Sequence, residues 1–328
     1  MAVVRLSDVV VPTEFTNYVI QNTMEKTALM QSGAMVRNSV IDTQLRAGGQ
    51  SFIVPFWNDL GNEEADITND DPADLSTPQK LGAASQVVRK SYLHQSWSAM
   101  DLASELAGSS AEQRIRQRVQ AYWERQMQRR MIAALGGVML DNIANDASDM
   151  VLDISGETGE AANFSAEAVI DATAELGDAL STISAIAMHS DIYREALKND
   201  LIETIRDSEG RPFATYRGLA VVVDDGMPVA SGNYTTILFG RGAVGYGMSE
   251  PVEADGTEIE RLPSAGNGGG QTILHSRINF AVHPLGFTWA SDATIEPGGP
   301  TLAQLGQVSR WNRVVERKAI PLAFLVTK

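Results

Sequence analysis

The sequence predicts an α+β protein, and three stretches carry that expectation. A segment of helix length, from Ser109 to about Asn145, contains no proline and only one late glycine pair, Gly136-Gly137. It follows an extended, acid-tipped excursion over residues 46–100 that has too little apolar surface to bury itself. Beyond the long helix, helical and strand patterns alternate between residues 165 and 240, the mark of a mixed α/β core.

In chain order, residues 1–45 read as an arm: a short extended start, then a helical pattern through Phe15, Val19, Ile20, Met24, Ala28 and Leu29. Its apolar side needs a surface elsewhere. Residues 50–57 and 85–97 have strand character from Val, Ile and aromatic side chains. Between them, from Asn58 to Gln79, stand the acids Asp59, Glu63, Glu64, Asp66, Asp70, Asp71 and Asp74, with the breakers Pro72 and Pro78 and no Lys or Arg. A lone two-armed ribbon is at best marginally stable in water. This one is expected to lean on an adjacent subunit.

The long helix opens with Ser109-Ser110-Ala111-Glu112, where a Ser three residues before a Glu predicts a capping box. Ile115, Val119, Tyr122, Trp123, Met127, Met131 and Leu135 then recur at three-and-four spacing along one slowly rotating face. Arg114, Arg118, Arg125 and Arg129 fall within a sector of roughly 60° and make a second, basic stripe. At ~1.5 Å per residue the rod is about 55 Å long, the backbone of an elongated molecule.

Farther on, Val169, Thr173, Leu176, Leu180 and Ile183 keep helical spacing, and Ile183 to Met188 reads as a buried strand. Ser190-Asp191 is expected to cap a helix from Ile192 to Ile205. Strands are expected at Leu219 to Val223, Thr235 to Phe239, Thr272 to Ala290 and Ile320 to Val326, with a turn at Glu296-Pro-Gly-Gly-Pro300. The absence of a fixed-period repeat removes solenoids and propellers.

The composition, 44% hydrophobic and 20% charged over 328 residues, is that of a globular chain. Without cysteine, disulfides, thiolate zinc sites and cysteine nucleophiles are excluded. A net charge of −15 argues against a surface that clamps nucleic acid throughout. The charge is unevenly placed: Asp141 to Glu160 is acidic, whereas Arg114 to Arg130 and Arg310 to Lys318 are basic. Such opposite patches are expected to meet between copies of the chain. No stretch reaches the ~18 apolar residues of a membrane span, and the N-terminus lacks the pattern of a signal peptide, so a cytoplasmic origin is expected.

Little points to catalysis. Gly240-Arg-Gly242-Ala-Val-Gly245 has dinucleotide-fingerprint spacing, but a breaker, Pro251, follows in place of a helix, so it reads as a turn. Asp224-Asp225 reads as a solvated cap in a turn. His94, His189, His275 and His283 are far apart in sequence and give no H-x-x-x-H pair. No catalytic, cofactor-binding or metal residue is therefore assigned, and no cofactor is expected. The alternative of another class is an α/β enzyme using residues 219–247.

The order of parts resembles the tailed-bacteriophage major capsid protein of the Hong Kong 97 type. Ile186-Ala-Met-His189-Ser-Asp191-Ile-Tyr193 looks like that family's strand-to-helix passage, and Tyr216-Arg-Gly218 through Asp224-Asp225-Gly-Met-Pro228 like its following strand and turn. Leu238-Phe-Gly240-Arg-Gly242-Ala-Val-Gly245-Tyr246 and Arg277-Ile-Asn-Phe280 through Pro284-Leu-Gly-Phe287 match the next two stations. The resemblance implies an N-terminal arm (1–45), an extended loop (46–100), a peripheral domain with a spine helix (101–162 and 287–328) and an axial domain (163–286).

It further implies a coat protein that assembles as pentamers and hexamers into an icosahedral head around double-stranded DNA. Separate scaffolding and portal proteins, and decoration proteins, would be its partners; no membrane is involved. An encapsulin-like shell is the alternative within the same fold. Some relatives crosslink a loop Lys to a neighbour's Asn; Lys80 and Lys90 lie on the ribbon here, without a marked partner. The expected intersubunit residues are Glu63, Glu64, Asp66, Asp70 and Asp71 on the loop and Arg114, Arg118, Arg125 and Arg129 on the helix.

Overall fold

The computed structural model describes residues 35–328 apart from 61–63, 69, 72, 74, 77, 178–181 and 207–211. The expected arm helix at Phe15 to Leu29, and Leu180, lie outside the described residues. The first elements are β1 (Met35–Arg37), α1 (Ser39–Arg46), β2 (Ser51–Trp57), β3 (Ala83–Arg89), β4 (Ser91–Met100), α2 (Asp101–Ala107) and α3 (Ala111–Asn145). Then come β5 (Val151–Asp153), α4 (Ala166–Ala174), β6 (Ile183–Met188), α5 (Ser190–Lys198), β7 (Glu203–Arg206), β8 (Pro212–Tyr216) and β9 (Leu219–Val223). The last third holds β10 (Val229–Ala230), β11 (Asn233–Gly240), β12 (Val244–Ser249), β13 (Thr257–Leu262), β14 (Gln271–Pro284), β15 (Phe287–Trp289), β16 (Trp311–Arg313) and β17 (Leu322–Thr327).

The long helix forms as its periodicity predicts, with a different start. Ser110, not Ser109, is the N-cap, its Oγ accepting from the Gln113 amide at 3.2 Å. Glu112 binds Arg116 one turn on instead of closing a capping box. Trp123, Met127, Met131, Leu135 and Val138 are buried in the main core. The Trp123 indole donates to Ser276 Oγ at 2.9 Å, which fixes α3 on β14. At the other end, a Cβ on Gly137 would strike the Leu305 carbonyl and lie 2.6 Å from Trp311 Nε1. Only glycine lets the returning C-terminal segment come this close.

One sheet has the order β1-β12-β14-β13, with β4 also paired to β14. Its edge is sealed by α1, which sits so near β12 that a Cβ on Gly247 would lie 2.9 Å from Ile41 Cβ. The other sheet has eight strands in the order β5-β17-β11-β6-β9-β8-β7, with β10 on β11. Its central strands are buried on both faces, which is why they read as unbroken apolar runs. Ala185, Ala187, Ile237, Phe239, Leu322 and Phe324 face the core shared with α3. The alternate residues Ile186, Met188, Leu238, Ala323 and Leu325 face α4 and α5.

The helix expected from Ile192 to Ile205 is shorter. It is α5, ending at Lys198, and Glu203–Arg206 is a strand that pairs with β8. Its N-cap is His189, whose Nδ1 accepts from the Asp191 amide at 3.1 Å. Segment 287–328 divides between two places: β15 and β16 pair with each other beside α3, while β17 runs between β5 and β11.

Candidate intersubunit surface

β2 and β3 form the ribbon, paired antiparallel from Ser51↔Arg89 to Trp57↔Ala83. One face turns inward: Phe52 packs with Ile41, Leu45, Val88 and Ala281. The other carries Ile53 and Trp57, 64% and 72% exposed, and past the strands Leu60, Ile67 and Leu75 are 73%, 90% and 82% exposed. Large apolar side chains this open, gathered in one stretch of the chain, mark a surface suited to being covered by something else. Among them Glu64, Asp66, Asp70 and Asp71 are exposed; Glu63 lies outside the described residues.

The base of the ribbon is firmly held. Lys90 is fully buried, donating from Nζ to the carbonyls of Ala47 at 2.6 Å and Gly48 at 3.3 Å, and burial lowers its pKa. It is thus a structural clasp, with its amine closed off from a neighbour, whereas Lys80 is exposed. Arg89 pairs with Asp292 at 3.1 Å, and Gln86 Oε1 lies 2.6 Å from His283 Nε2. Desolvation brings the His283 pKa down to about 4.

Because α3 is continuous, Arg114, Arg118, Arg125 and Arg129 do share one side of it. Arg114 and Arg129 are exposed, Arg118 and Arg125 half-buried. Arg130, next in sequence, points inward, donating from Nη2 to Ser91 Oγ at 2.7 Å and the Pro300 carbonyl at 2.6 Å. Burial lowers its pKa to about 10.

The acidic run after Asp141 and the basic run after Arg310, expected to meet between copies, instead meet within one chain. Arg313 binds Asp149 and Asp146, and Arg317 donates to the Asp149 carbonyl at 2.9 Å. Arg310 is buried and donates to the Ser291 carbonyl and Thr294 Oγ1, both at 3.1 Å. Asp224 is likewise not a solvated cap: it is buried, accepts from the Gly226 amide at 2.7 Å and binds Gln128 of α3. Two of the histidines that are distant in sequence are adjacent in space, His94 Nε2 lying 3.4 Å from His275 Nδ1 across β4 and β14, with Glu260 3.2 Å beyond His275.

Sequence comparison decides what this architecture belongs to. A family model described as Gp13-like, major capsid protein 13-like, matches residues 111–320. The chain belongs to that family. It is 37% identical over 328 residues to the major capsid protein of Bacillus phage SPP1, covering 98% of this chain and 97% of the relative. In structure it is similar to the capsid of cyanophage Pam1, with a TM-score of 0.59 at 12% identity and 96% of each chain covered. The SrpI encapsulin of Synechococcus elongatus PCC 7942 shares the fold at a TM-score of 0.50 and 10% identity, over 95% of this chain and 91% of that one. Fold alone therefore spans both kinds of shell, and the sequence family selects the phage head. This is a major capsid protein of a tailed phage, a mixed helix-and-strand structural protein that forms the shell of the virion.

Proposed function

We propose that copies of the chain assemble as pentamers and hexamers into an icosahedral head that encloses double-stranded DNA, built in the host cytoplasm with separate scaffolding and portal proteins and open to decoration proteins. In this reading α3 is the spine of a peripheral domain; of residues 46–100, expected as an extended loop, β2, β3 and the segment between them lie over the next subunit while β4 stays paired to β14; and the axial domain, expected over 163–286, is the eight-stranded sheet with α4 and α5, which takes in β17 and leaves β12–β14 to the other sheet. The exposed row of Ile53, Trp57, Leu60, Ile67 and Leu75 carries the reading, since a stable soluble monomer leaves few such patches open. Glu63, Glu64, Asp66, Asp70 and Asp71, with Arg114, Arg118, Arg125 and Arg129, supply ionic contacts between chains. Each exposed pair contributes only ~0–1 kcal/mol, so their effect comes from repetition around the shell.

Deleting residues 58–79 tests this. The sheets and α3 remain folded, while particles fail to form or change size. Full-sized particles of unchanged stability from the deletion would refute the reading. Reversing Arg118 and Arg125 to Glu tests the basic stripe, and normal assembly at all salt concentrations would count against its role.

A further inference from the structure

Along β14, Ser276 faces α3, where it accepts from Trp123, so His275 and Arg277 on either side of it face the other way. β4 runs antiparallel to β14 with His94 opposite Arg277 and Ser96 opposite His275, which makes His94 and His275 diagonal neighbours on the sheet face turned away from α3. Their rings incline 25° to each other, and His94 Nε2 stands 3.4 Å from His275 Nδ1. Beyond them, His275 Nε2 lies 3.2 Å from Glu260 Oε2 on β13. His94 is exposed and His275 is 22% exposed, so an ion in solution can reach the pair.

An ionised carboxylate only accepts, so the Glu260 contact holds a proton on His275 Nε2 and leaves Nδ1 as a lone pair facing His94. The gap between the two facing nitrogens is wide for a hydrogen bond, which prefers roughly 2.7–3.2 Å. It matches two ligands of one tetrahedral ion: with metal–nitrogen bonds of ~2.0–2.1 Å, such nitrogens stand ~3.3–3.4 Å apart. A carboxylate on the outer nitrogen is also the arrangement that orients a metal-bound imidazole and raises its basicity. Partial desolvation, and then the fields of His275 and Arg277, lower the His94 pKa, so its ring is neutral, the form that binds metal, at neutral pH. Arg277, the cation beside the pair, is held by Glu258 at 3.0 Å, and Glu260 leaves the patch with one carboxylate more than it has guanidinium groups.

We propose that His94 Nε2 and His275 Nδ1 together bind a divalent transition-metal ion that favours imidazole, of the zinc and copper class, and that the ion staples β4 to β14. Among the described residues no group of three His, Asp or Glu side chains could hold one ion, so water completes the coordination shell and the affinity is modest. The staple falls on β4, the strand that continues from Lys90 at the base of the ribbon into the sheet. The other two histidines are engaged elsewhere, His189 capping α5 and His283 buried against Gln86.

The chain has no cysteine and only four histidines, so few groups compete for such an ion. Untagged full-length chain, as dissociated subunits, is titrated with Zn2+ by calorimetry and with Cu2+ by electron paramagnetic resonance. The expected result is one ion per chain, a copper spectrum with two nitrogen ligands, and a melting temperature that Zn2+ raises and a chelator restores. His94→Asn and His275→Asn should each abolish the melting shift, and Glu260→Gln should weaken binding roughly 10-fold while leaving the metal-free melt unchanged. Binding that survives both histidine substitutions would place the ion elsewhere and overturn the proposal. A spectrum with one nitrogen ligand or none would overturn it as well, and that reading is made on the unaltered chain, so it stands even where a variant misfolds. No binding at millimolar Zn2+ would reduce the pair to a long hydrogen bond and overturn the metal site.

Discussion

Arg313 donates from Nη1 to both carboxylate oxygens of Asp149, at 2.8 Å each, and so ties β16 to the turn that ends α3. The two residues stand 164 positions apart, and the pair is the clamp by which the late part of the chain closes on α3. Arg313 is 17% exposed and Asp149 35%, so water screens the pair only in part. Arg313→Ala is expected to lower subunit stability by about 1–3 kcal/mol, read by urea unfolding of dissociated subunits. An unchanged midpoint would show that the clamp contributes nothing.

Beside it, Asp141 is fully buried, with Oδ2 lacking a partner. Burial raises its pKa, the Asn145 hydrogen bond opposes the rise, and Asp146 adds to it. A carboxyl whose folded pKa is raised binds its proton more tightly in the native state, so its contribution to stability falls as pH climbs from the unfolded value through the folded one. Asp141→Asn, an uncharged mimic, should therefore be more stable than the parent at neutral pH and less so at acid pH. Unfolding curves from pH 4 to 8 check the crossing; a variant less stable at every pH would contradict the account.

His283 works in the opposite direction. With a folded pKa of about 4 against an unfolded value near 6.5, its stabilising contribution is present above the unfolded pKa and is lost as pH falls toward the folded one. His283→Gln should flatten the acid limb of the stability profile in that window. A parent and variant with parallel acid limbs would assign the loss to other groups.

Gly136 and Gly137 are adjacent and should respond with opposite signs. A Cβ at Gly136 meets nothing within 4 Å, so Gly136→Ala should stabilise α3 by roughly 0.5–1 kcal/mol. Gly137→Ala pushes a methyl into Leu305 and Trp311 and should destabilise by about 1–3 kcal/mol. Thermal melts of the two variants settle the contrast, and equal melts would mean the C-terminal segment yields freely.

Lys90 and Lys80 give a chemical test of the ribbon's base. An amine-acylating reagent should modify exposed Lys80 in dissociated subunits and leave buried Lys90 untouched. Lys90→Ala would orphan the carbonyls of Ala47 and Gly48 and is expected to cost about 2–4 kcal/mol. Rapid labelling of Lys90 in folded protein would refute the clasp.

What was legible beforehand was what repeats at short range. The spacing of Trp123, Met127, Met131 and Leu135 foretold the buried face of α3, and the run from Ile183 to Met188 foretold a strand buried on both sides. Partners brought together by folding left no such trace. Arg313 and Asp149 looked like members of two opposite charge patches, Lys90 was simply one residue of the ribbon, and His94 had no visible link to His275. The glycine at 247 could not be distinguished from an ordinary turn residue until the closeness of α1 gave it a reason.

The central claim is that residues 58–82 are completed by another copy of the chain, and electron cryomicroscopy of the purified protein tests it most directly. The account predicts closed shells in which Leu60, Ile67 and Leu75 are covered by a neighbouring subunit. A monomer with that segment folded back over its own sheets would contradict it.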